Sequence, residues 1–388
     1  MALKNDDLKS IVESAVTEAG GNRAVGYELA ANKVEDLMIA KKISASDFSI
    51  KEMYRTLVDP TLSLTSAKAI AEAIQSSAFP NLTTKVMTQT VIPAYEMALG
   101  NIANLVTEDD AIIAGTNPVP GLTAADGPEL RRQGMAYKEG AFGEKYCEID
   151  TGDIGEIIEL TRETIFNDRT NSVINKAKSI AGMLASEREK MTVQTIEMTT
   201  RSAFQETSSR AFVLAGTAYT SAQFYANTHA TVMDLQVNDN LDITDVDKLS
   251  SDGVDATANL FASMLDEKGQ KININANQIV VPKKLFRKAW QLFNSSQEFD
   301  TGNNALNYFK GMYEVYTSNY LTTAYNYFLG DFKKQLLWLW VWKPETESQG
   351  AGSDLAFERQ IVYRIRISMN GGVGHTDYKY IAKGGSTA

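Results

Sequence analysis

The sequence is poor in the residue types that build covalent or metal-bound sites. Its 388 residues include one cysteine, Cys147, and two histidines, His229 and His375. A single cysteine excludes a disulfide within the chain and any site with several thiolate ligands. Neither histidine has the spacing of a zinc site or a hydrolytic triad. We therefore predict no catalytic residue, no metal and no cofactor, two ordinary surface histidines, and a cysteine that serves as a small apolar residue on a hairpin.

Long hydrophobic runs and an excess of positive charge are also absent. The longest apolar run, Leu336–Trp342, has seven residues, and the first residues lack the pattern of a signal peptide. A membrane-spanning helix needs about 20 apolar residues, so we expect no membrane segment and a protein made in a reducing cytoplasm. The formal net charge is -10. Because nucleic-acid binders carry clustered Lys and Arg, contact with DNA should be weak and non-specific.

Glycine and proline are concentrated in one segment of a chain that is otherwise apolar enough to fold into two or three packed units. Gly115–Gly155 contains eight of the 26 glycines and three of the eight prolines. Such a segment should lie on a surface or on a neighbouring molecule. Within it, Glu144–Ile149 and Glu156–Thr161 are predicted to be extended, and Thr151-Gly152-Asp153 predicts a long hairpin between them. Its predicted apolar anchors for a neighbouring subunit are Ile149, Ile154 and Ile157.

A long helix is predicted over residues 171–205. Apolar residues recur at spacings of three and four from Val173 to Met198, and Thr170 or Asn171 can cap the start. A helix of this length measures roughly 50 Å at about 1.5 Å per residue. Gly182 interrupts the pattern, which costs roughly 1 kcal/mol relative to Ala and makes Gly182 a candidate hinge.

Helical patterns precede this region and an α/β unit follows it. Narrow apolar stripes predict short helices over residues 8–16, 29–38 and 67–74, and another over residues 91–106. From residue 254, two helices are predicted around a buried strand, Gln278–Pro282. Three more strands are predicted in the same sheet-bearing domain: Met312–Thr317, Tyr325–Leu329 and Gln335–Trp342. Glu358–Ser368 and Asp377–Ala382 are predicted to be extended, with Gly371–Gly374 as the turn between them.

Three tryptophans alternate along one predicted strand. Trp338, Trp340 and Trp342 share one face of that strand, and aliphatic residues share the other. Two interpretations remain open. Either the sheet is covered on both faces within the chain, or the aromatic face contacts another subunit, since tryptophan is enriched in interfaces. The three tryptophans are therefore candidate interface residues.

The order of these parts resembles the major capsid protein of tailed bacteriophages, in the coat family of Mu-like phages. The resemblance covers about residues 90–388 and rests on these segments: Gly155–Asp168 before the long helix, Ile274–Leu285, Tyr327–Asp331, Phe357–Arg366 and Gly371–Ala382. It implies an α+β architecture, the Hong Kong phage fold shared with encapsulins, with a long spine helix, an extended E-loop hairpin, peripheral and axial domains, and a helical N-terminal arm.

The resemblance also implies boundaries for these parts. The N-terminal arm would occupy residues 1–110, the E-loop 111–160, the peripheral domain with the spine helix 161–239, and the axial domain 240–342. Residues 343–388 would return to the peripheral domain and form the C-terminal tail. Two interpretations stay open for residues 1–78: a scaffold-like segment that is later cleaved, or a retained helical arm.

The implied function is structural. Such a protein self-assembles through hexamers and pentamers into the icosahedral head that encloses the phage genome. The implied partners are further copies of the chain, scaffold, portal and decoration proteins, and packaged double-stranded DNA, with no membrane. The implied location is the virion, after assembly in the host cytoplasm. Two alternatives remain open: an encapsulin-like compartment, which would hold an enzyme as cargo, and an enzyme whose site the sequence does not reveal.

Overall fold

The structure is a computed structural model. It describes residues 5–20, 23–42, 78–122, 131–134, 136, 144–161, 172–198, 212–214, 217–219, 224–225, 238–242, 249–266, 268–297, 306–350 and 361–385. The chain divides into two compact units. The first comprises residues 1–99, 153–186 and 342–370, and the second comprises residues 100–152, 187–341 and 371–388.

Helices and strands alternate along the described residues. The helices are α1 (Asn5–Glu18), α2 (Arg23–Ile39), α3 (Ala78–Ala98), α4 (Ser172–Glu197), α5 (Ser251–Ser263), α6 (Phe286–Asn294) and α7 (Phe332–Gln335), with short 3-10 helices at Asn101–Leu105 and Lys283–Leu285. The strands are β1 (Thr107–Asp110), β2 (Thr116–Leu122), β3 (Glu144–Asp150), β4 (Gly152–Thr161), β5 (Phe212–Leu214), β6 (Thr217–Tyr219), β7 (Leu241–Asp242), β8 (Gln278–Pro282), β9 (Glu314–Ser318), β10 (Tyr327–Gly330), β11 (Leu336–Gly350), β12 (Ile361–His375) and β13 (Ile381–Gly384).

These strands form three sheets, with the orders β1-β11-β12-β4, β7-β13-β10-β8-β9 and β2-β3-β5-β6. Parallel and antiparallel pairs occur together: β1 runs parallel to β11, and β10 runs antiparallel to both β8 and β13. Mixed sheets combined with helices confirm the α+β fold class.

The three N-terminal helices belong to the first unit. The apolar stripes of α1 and α2 become buried side chains, Val12 and Ala15 on α1 and Val34 on α2, so both predicted helices are confirmed. The helix expected over residues 91–106 starts earlier, because α3 already begins at Ala78. It also stops earlier, and a separate 3-10 helix follows it. The pattern at residues 67–74 lies outside the described residues.

The five-stranded sheet carries the core of the second unit. Ile279 and Val281 on β8 and Leu329 on β10 pack against Phe261 of α5 and Phe293 of α6. The predicted strand Gln278–Pro282 is confirmed at those bounds. The strand predicted from Gln335 to Trp342 is observed as β11, which begins at Leu336 and pairs with β1 in a different sheet from β8, β9 and β10. The short helix α7 turns the chain between β10 and β11, which separates the two strands.

The long helix is observed as α4, a helix of 26 residues. Its length is roughly 39 Å at about 1.5 Å per residue. The predicted apolar positions Ala177, Leu184 and Met191 are buried, which confirms the periodicity. Residues 199–205, the end of the predicted helix, lie outside the described residues.

The predicted hairpin has a different partner strand. β3 pairs antiparallel with β2, with Val119 opposite Cys147, whereas β4 joins the sheet of β12. Thr151 holds the start of β2 against the end of β3, since its hydroxyl accepts from the Gly115 N–H at 2.9 Å and its own N–H donates to the Gly115 carbonyl at 2.9 Å. The turn between β3 and β4 therefore passes the chain from one sheet to another.

Gly371–Gly374 was predicted to be a turn and instead lies inside β12. Close packing explains the glycines. A Cβ built on Gly371 would lie 2.7 Å from the Trp338 indole nitrogen, one on Gly372 would lie 1.9 Å from the Asp150 carbonyl oxygen, and one on Gly374 would lie 2.7 Å from Ile149. Glycine in a strand commonly marks such an approach.

Candidate assembly interface

The predicted hairpin anchors differ in their exposure. Ile157 on β4 is 52% exposed and Ile154 is partly exposed. Ile149 on β3 is buried against Gly374 of the same chain, so the prediction that it anchors a neighbouring subunit is wrong. Cys147 is also buried on β3, with its sulfur 3.8 Å from the Val119 carbonyl oxygen, which confirms its small apolar role.

The tryptophan strand is covered within its own chain. Trp338 and Trp340 are buried, and their ring centroids lie 5.2 Å apart. The prediction that they form an exposed interface is therefore wrong, and the alternative of a covered sheet describes them. Trp342, further along β11, is partly exposed and remains an interface candidate.

A buried arginine explains the burial of both rings. Arg188 on α4 is 2% exposed, and its guanidinium carbon lies 4.8 Å from the Trp338 centroid and 5.1 Å from the Trp340 centroid. Its Nη2 donates to Glu108 Oε1 at 2.5 Å, and the Trp340 indole N–H donates to Glu108 Oε2 at 3.0 Å. Stacking, ion pairing and hydrogen bonding together offset the desolvation of the guanidinium.

Two further charged groups of α4 hold the segment that follows β9. Glu189 Oε1 accepts from the Ser318 hydroxyl at 3.0 Å. The Glu197 carboxylate accepts from the backbone N–H groups and the hydroxyls of Thr322 and Thr323, at distances from 2.8 to 3.3 Å. The second half of α4 thus fixes the end of β9 and the loop that follows it through partly buried, charged hydrogen bonds.

Two side chains near the end of α4, Tyr225 and Lys383, have shifted pKa values. The Tyr225 hydroxyl donates to the Ile196 carbonyl at 2.6 Å; burial raises the pKa of Tyr225 well above 10, and the Glu197 carboxylate raises it further. Burial lowers the pKa of Lys383, while Glu197 acts in the opposite direction. Both effects are typical of groups removed from water near a fixed charge.

His375 was predicted to be a surface histidine and is buried. The Gln335 amide oxygen accepts from the Tyr380 N–H at 2.9 Å, so the Gln335 amide nitrogen donates to His375 Nδ1 at 3.1 Å. His375 Nε2 then carries the proton and donates to the Thr195 carbonyl at 2.8 Å. Phe224 covers the ring at 4.4 Å. This histidine links α4 to β12; His229 lies outside the described residues.

Two exposed apolar sets in the second unit were missed by the sequence analysis. Ile112 and Ile113, before β2, are 80% and 54% exposed, and Trp290 on α6 is 54% exposed beside the exposed Phe286. The signal for the second set was present in the sequence. Lys283, Lys284, Arg287 and Lys288 place four cations around these aromatic residues in a chain of net charge -10.

The candidate hinge, Gly182, lies within α4. A Cβ built there would have ordinary contact with the Ala98 Cβ at 3.9 Å. An alanine side chain therefore fits at this position. The hinge role itself stays a prediction.

Neither a metal centre nor a membrane span is found among the described residues. In that part of the chain, no cluster of three or more His, Cys, Asp or Glu side chains could hold a metal ion. Over the same residues, no helix has the length and apolarity to cross a membrane.

The chain aligns at low identity with solved structures of phages and of a GTA particle. The chain aligns with the capsid of a native GTA particle at a TM-score of 0.47 and 12% identity, over 74% of this chain and 90% of that one. The Mycobacterium phage Bobi structure gives 0.45 and 10% over 74% and 90%. The capsid of cyanophage P-SCSP1u gives 0.46 and 11% over 73% and 87%. No curated protein matches the chain.

A match to a family model assigns the chain to a protein family. The model described as phage capsid protein matches residues 146–384. This range is well over half of the chain, and it includes α4, the five-stranded sheet and the buried tryptophan strand. The chain therefore belongs to the phage capsid protein family and is a structural protein, a major capsid protein of the virion.

Proposed function

We propose that the chain self-assembles through hexamers and pentamers into the closed icosahedral head of a tailed phage. The observation that carries the proposal is the family match over residues 146–384. Exposed apolar side chains on both units, among them Met183 and Trp290, support it. Neighbouring copies would bury such side chains, and each specific interface of a stable assembly removes about 1,200–2,000 Å² from water.

In this proposal, the parts have the roles of the Hong Kong phage fold. Residues 111–160 act as the E-loop, and the β2–β3 hairpin supports that role because a connection of residues 123–143 joins its strands. Residues 161–239 and the first part of residues 343–388 form the peripheral domain around the spine helix α4. β13, near the end of the chain, belongs to the five-stranded sheet, so we assign the C-terminal tail to the axial domain instead. Residues 240–342 form the axial domain, supported by the sheet core between α5 and α6. Residues 1–110 form the N-terminal arm.

The proposed partners follow from this role. Copies of the chain meet scaffold, portal and decoration proteins during assembly in the host cytoplasm, and the finished shell encloses double-stranded DNA. The net charge of -10 supports weak, non-specific contact with that DNA. A strongly basic lining would bind the duplex and hinder its movement during filling.

Sedimentation of the purified full chain tests the proposal. Sedimentation velocity across a wide range of protein concentration should show capsomer-sized or shell-sized particles in equilibrium with smaller species. A folded chain that sediments as a monomer at every concentration, with circular dichroism showing intact helices, would overturn it.

A further inference from the structure

Residues 109–113 form a rigid projection that presents two isoleucines to solvent. Ile112 is 80% exposed and Ile113 is 54% exposed. Asn117, which is buried, shapes the turn: its Oδ1 accepts from the N–H groups of both isoleucines at 3.0 Å. Its Nδ2 donates to the carbonyls of Ile113 at 2.8 Å and Gly115 at 3.0 Å. All four hydrogen-bonding positions of this amide are thus used on one short turn.

The base of this projection is also fixed. The Ala111 N–H donates to the Trp340 carbonyl at 2.7 Å, and β1 pairs with β11 up to Asp110 opposite Trp340. Apolar side chains that are held in place on a rigid turn lose little conformational entropy when another surface covers them. We call residues 109–113 the isoleucine knob.

The knob carries unbalanced negative charge. Asp109 and Asp110 are exposed on β1. Among the described residues, neither carboxylate has an ion-pair partner. The knob therefore combines two aliphatic side chains with two exposed carboxylates that can pair with cations, although Asp109 Oδ1 also accepts from the Asp110 N–H at 2.9 Å.

A surface of the opposite character lies on α6. Ala289 and Phe293 are buried on the inner side of this helix, whereas Phe286 and Trp290 are exposed. Phe286 and Trp290 are four residues apart and are therefore neighbours on the helix surface. Lys283 and Arg287 are exposed near them, Lys288 is exposed further around the same helix, and within the described part of the chain none of the three has an ion-pair partner. We call these five exposed residues the basic aromatic face.

We propose that the isoleucine knob of one copy docks on the basic aromatic face of a neighbouring copy. The inference rests on the proposed self-assembly and identifies two surfaces that meet in it. The two surfaces differ, so the contact is heterologous, and contacts of this kind form rings of subunits when the rotation between neighbouring copies closes.

Charge complementarity selects a second copy as the occupant of the basic aromatic face. Copies with a net charge of -10 repel one another. This repulsion is smallest where cations of one copy face carboxylates of the next, and such pairing also fixes the orientation of the partners. The exposed tryptophan and phenylalanine match the isoleucines, since buried aromatic residues and arginine anchor most interfaces. Duplex DNA would use the cations but would leave both aromatic rings without a partner.

A charge swap tests the contact. Arg287→Glu with Lys288→Glu, and separately Asp109→Lys with Asp110→Lys, should each raise the protein concentration needed for assembly by about tenfold or more. The chain with all four substitutions should assemble near the wild-type concentration. Lys271→Glu with Lys310→Glu makes the same change of net charge at exposed lysines outside both surfaces, and it should have a much smaller effect.

Other outcomes would overturn the contact. If the wild-type chain assembles but the four-substitution chain does not recover assembly, the proposed docking is wrong and the proposed function is unaffected. If the wild-type chain stays monomeric, both the docking and the proposed function are wrong. The wild-type chain could also bind duplex DNA in a salt-sensitive way. If Arg287→Glu with Lys288→Glu abolishes that binding, and the four-substitution chain does not recover assembly, the basic aromatic face is a DNA-binding surface and not a subunit contact. If the aspartate variants do not fold, Ile112→Ser with Ile113→Ser replaces them: folded chains with unchanged assembly would also overturn the docking.

Discussion

At the scale of single residues, the buried charges of α4 decide which side chains are available to partners. Arg188 draws Glu108, Trp338 and Trp340 into one cluster. The sequence revealed the alternation of the tryptophans but not their cover, because the arginine lies about 150 positions away and pairs with a carboxylate still further off. A single sequence contains no signal for such a contact.

Glu108→Ala should lower the free energy of unfolding by about 2–3 kcal/mol, because it leaves a buried guanidinium without its carboxylate. Glu96→Ala is the matched control, since Glu96 is exposed. That control should change stability by less than about 0.5 kcal/mol. Urea unfolding below the concentration of assembly measures both variants, and equal midpoints would refute the role of the pair.

Tyr225 predicts a pH dependence of stability. Its folded pKa is raised, so above pH 10 the unfolded chain loses the phenol proton while the folded chain keeps it. Stability should therefore fall as pH rises above 10. Tyr313 and Tyr316 act in the same direction. Lys383, whose folded pKa is lowered, acts oppositely: between its folded pKa and its ordinary value, stability rises with pH.

The variant Tyr225→Phe should lose about 1 kcal/mol at neutral pH, because the Ile196 carbonyl loses its donor. It should also show a shallower fall of stability above pH 10 than the wild type. Thermal unfolding from pH 8 to pH 11 provides the measurement. Parallel curves for the two proteins would show that Tyr225 does not cause the fall.

At the scale of elements, individual helices and strands could be predicted from the sequence, but the pairing of the strands could not. The strand Gln278–Pro282 has five consecutive buried residues, so it can be predicted without knowing which strands lie beside it. β2 contains Pro118 and Pro120, which argue against a strand. β2 tolerates both prolines because it is an edge strand of its sheet. Which strand lies at an edge depends on the whole fold. For that reason β4 was mistaken for the partner of β3.

The β2–β3 hairpin should be an assembly element and not a folding element. Deletion of residues 124–141 removes most of the connection between the two strands while leaving their register intact. We expect a folded α/β core with impaired assembly. Circular dichroism and sedimentation of the deletion variant test this. Normal shells from the shortened chain would contradict the proposed E-loop.

Gly182→Ala should stabilise α4 by up to roughly 1 kcal/mol, since the added methyl group has room and alanine favours helix. If Gly182 is a hinge, the variant should fold normally but form misshapen shells or expand abnormally. Gly26→Ala is the contrasting helix variant: a Cβ there would lie 2.6 Å from Val16 Cα, so it should destabilise the chain. Normal shells and normal maturation of Gly182→Ala would remove the hinge.

At the scale of the whole molecule, composition and element order predicted the class of protein. Few residues suited to catalysis and a glycine-rich excursion before a long helix indicated a structural role, and the match over residues 146–384 confirms the capsid family. The surfaces that join copies were not predictable in the same way. Exposure of Ile112 and Trp290 depends on which faces the tertiary fold leaves open.

Every proposal about interfaces depends on the ability of this chain to form a closed shell. Electron microscopy of the purified chain, concentrated without any other phage protein, examines that ability. We predict closed particles whose reconstruction contains five-fold and six-fold capsomers of this one chain, with the hairpin of each subunit lying on its neighbour. Fields that contain only dispersed single subunits, from a chain shown to be folded, would contradict the proposed assembly.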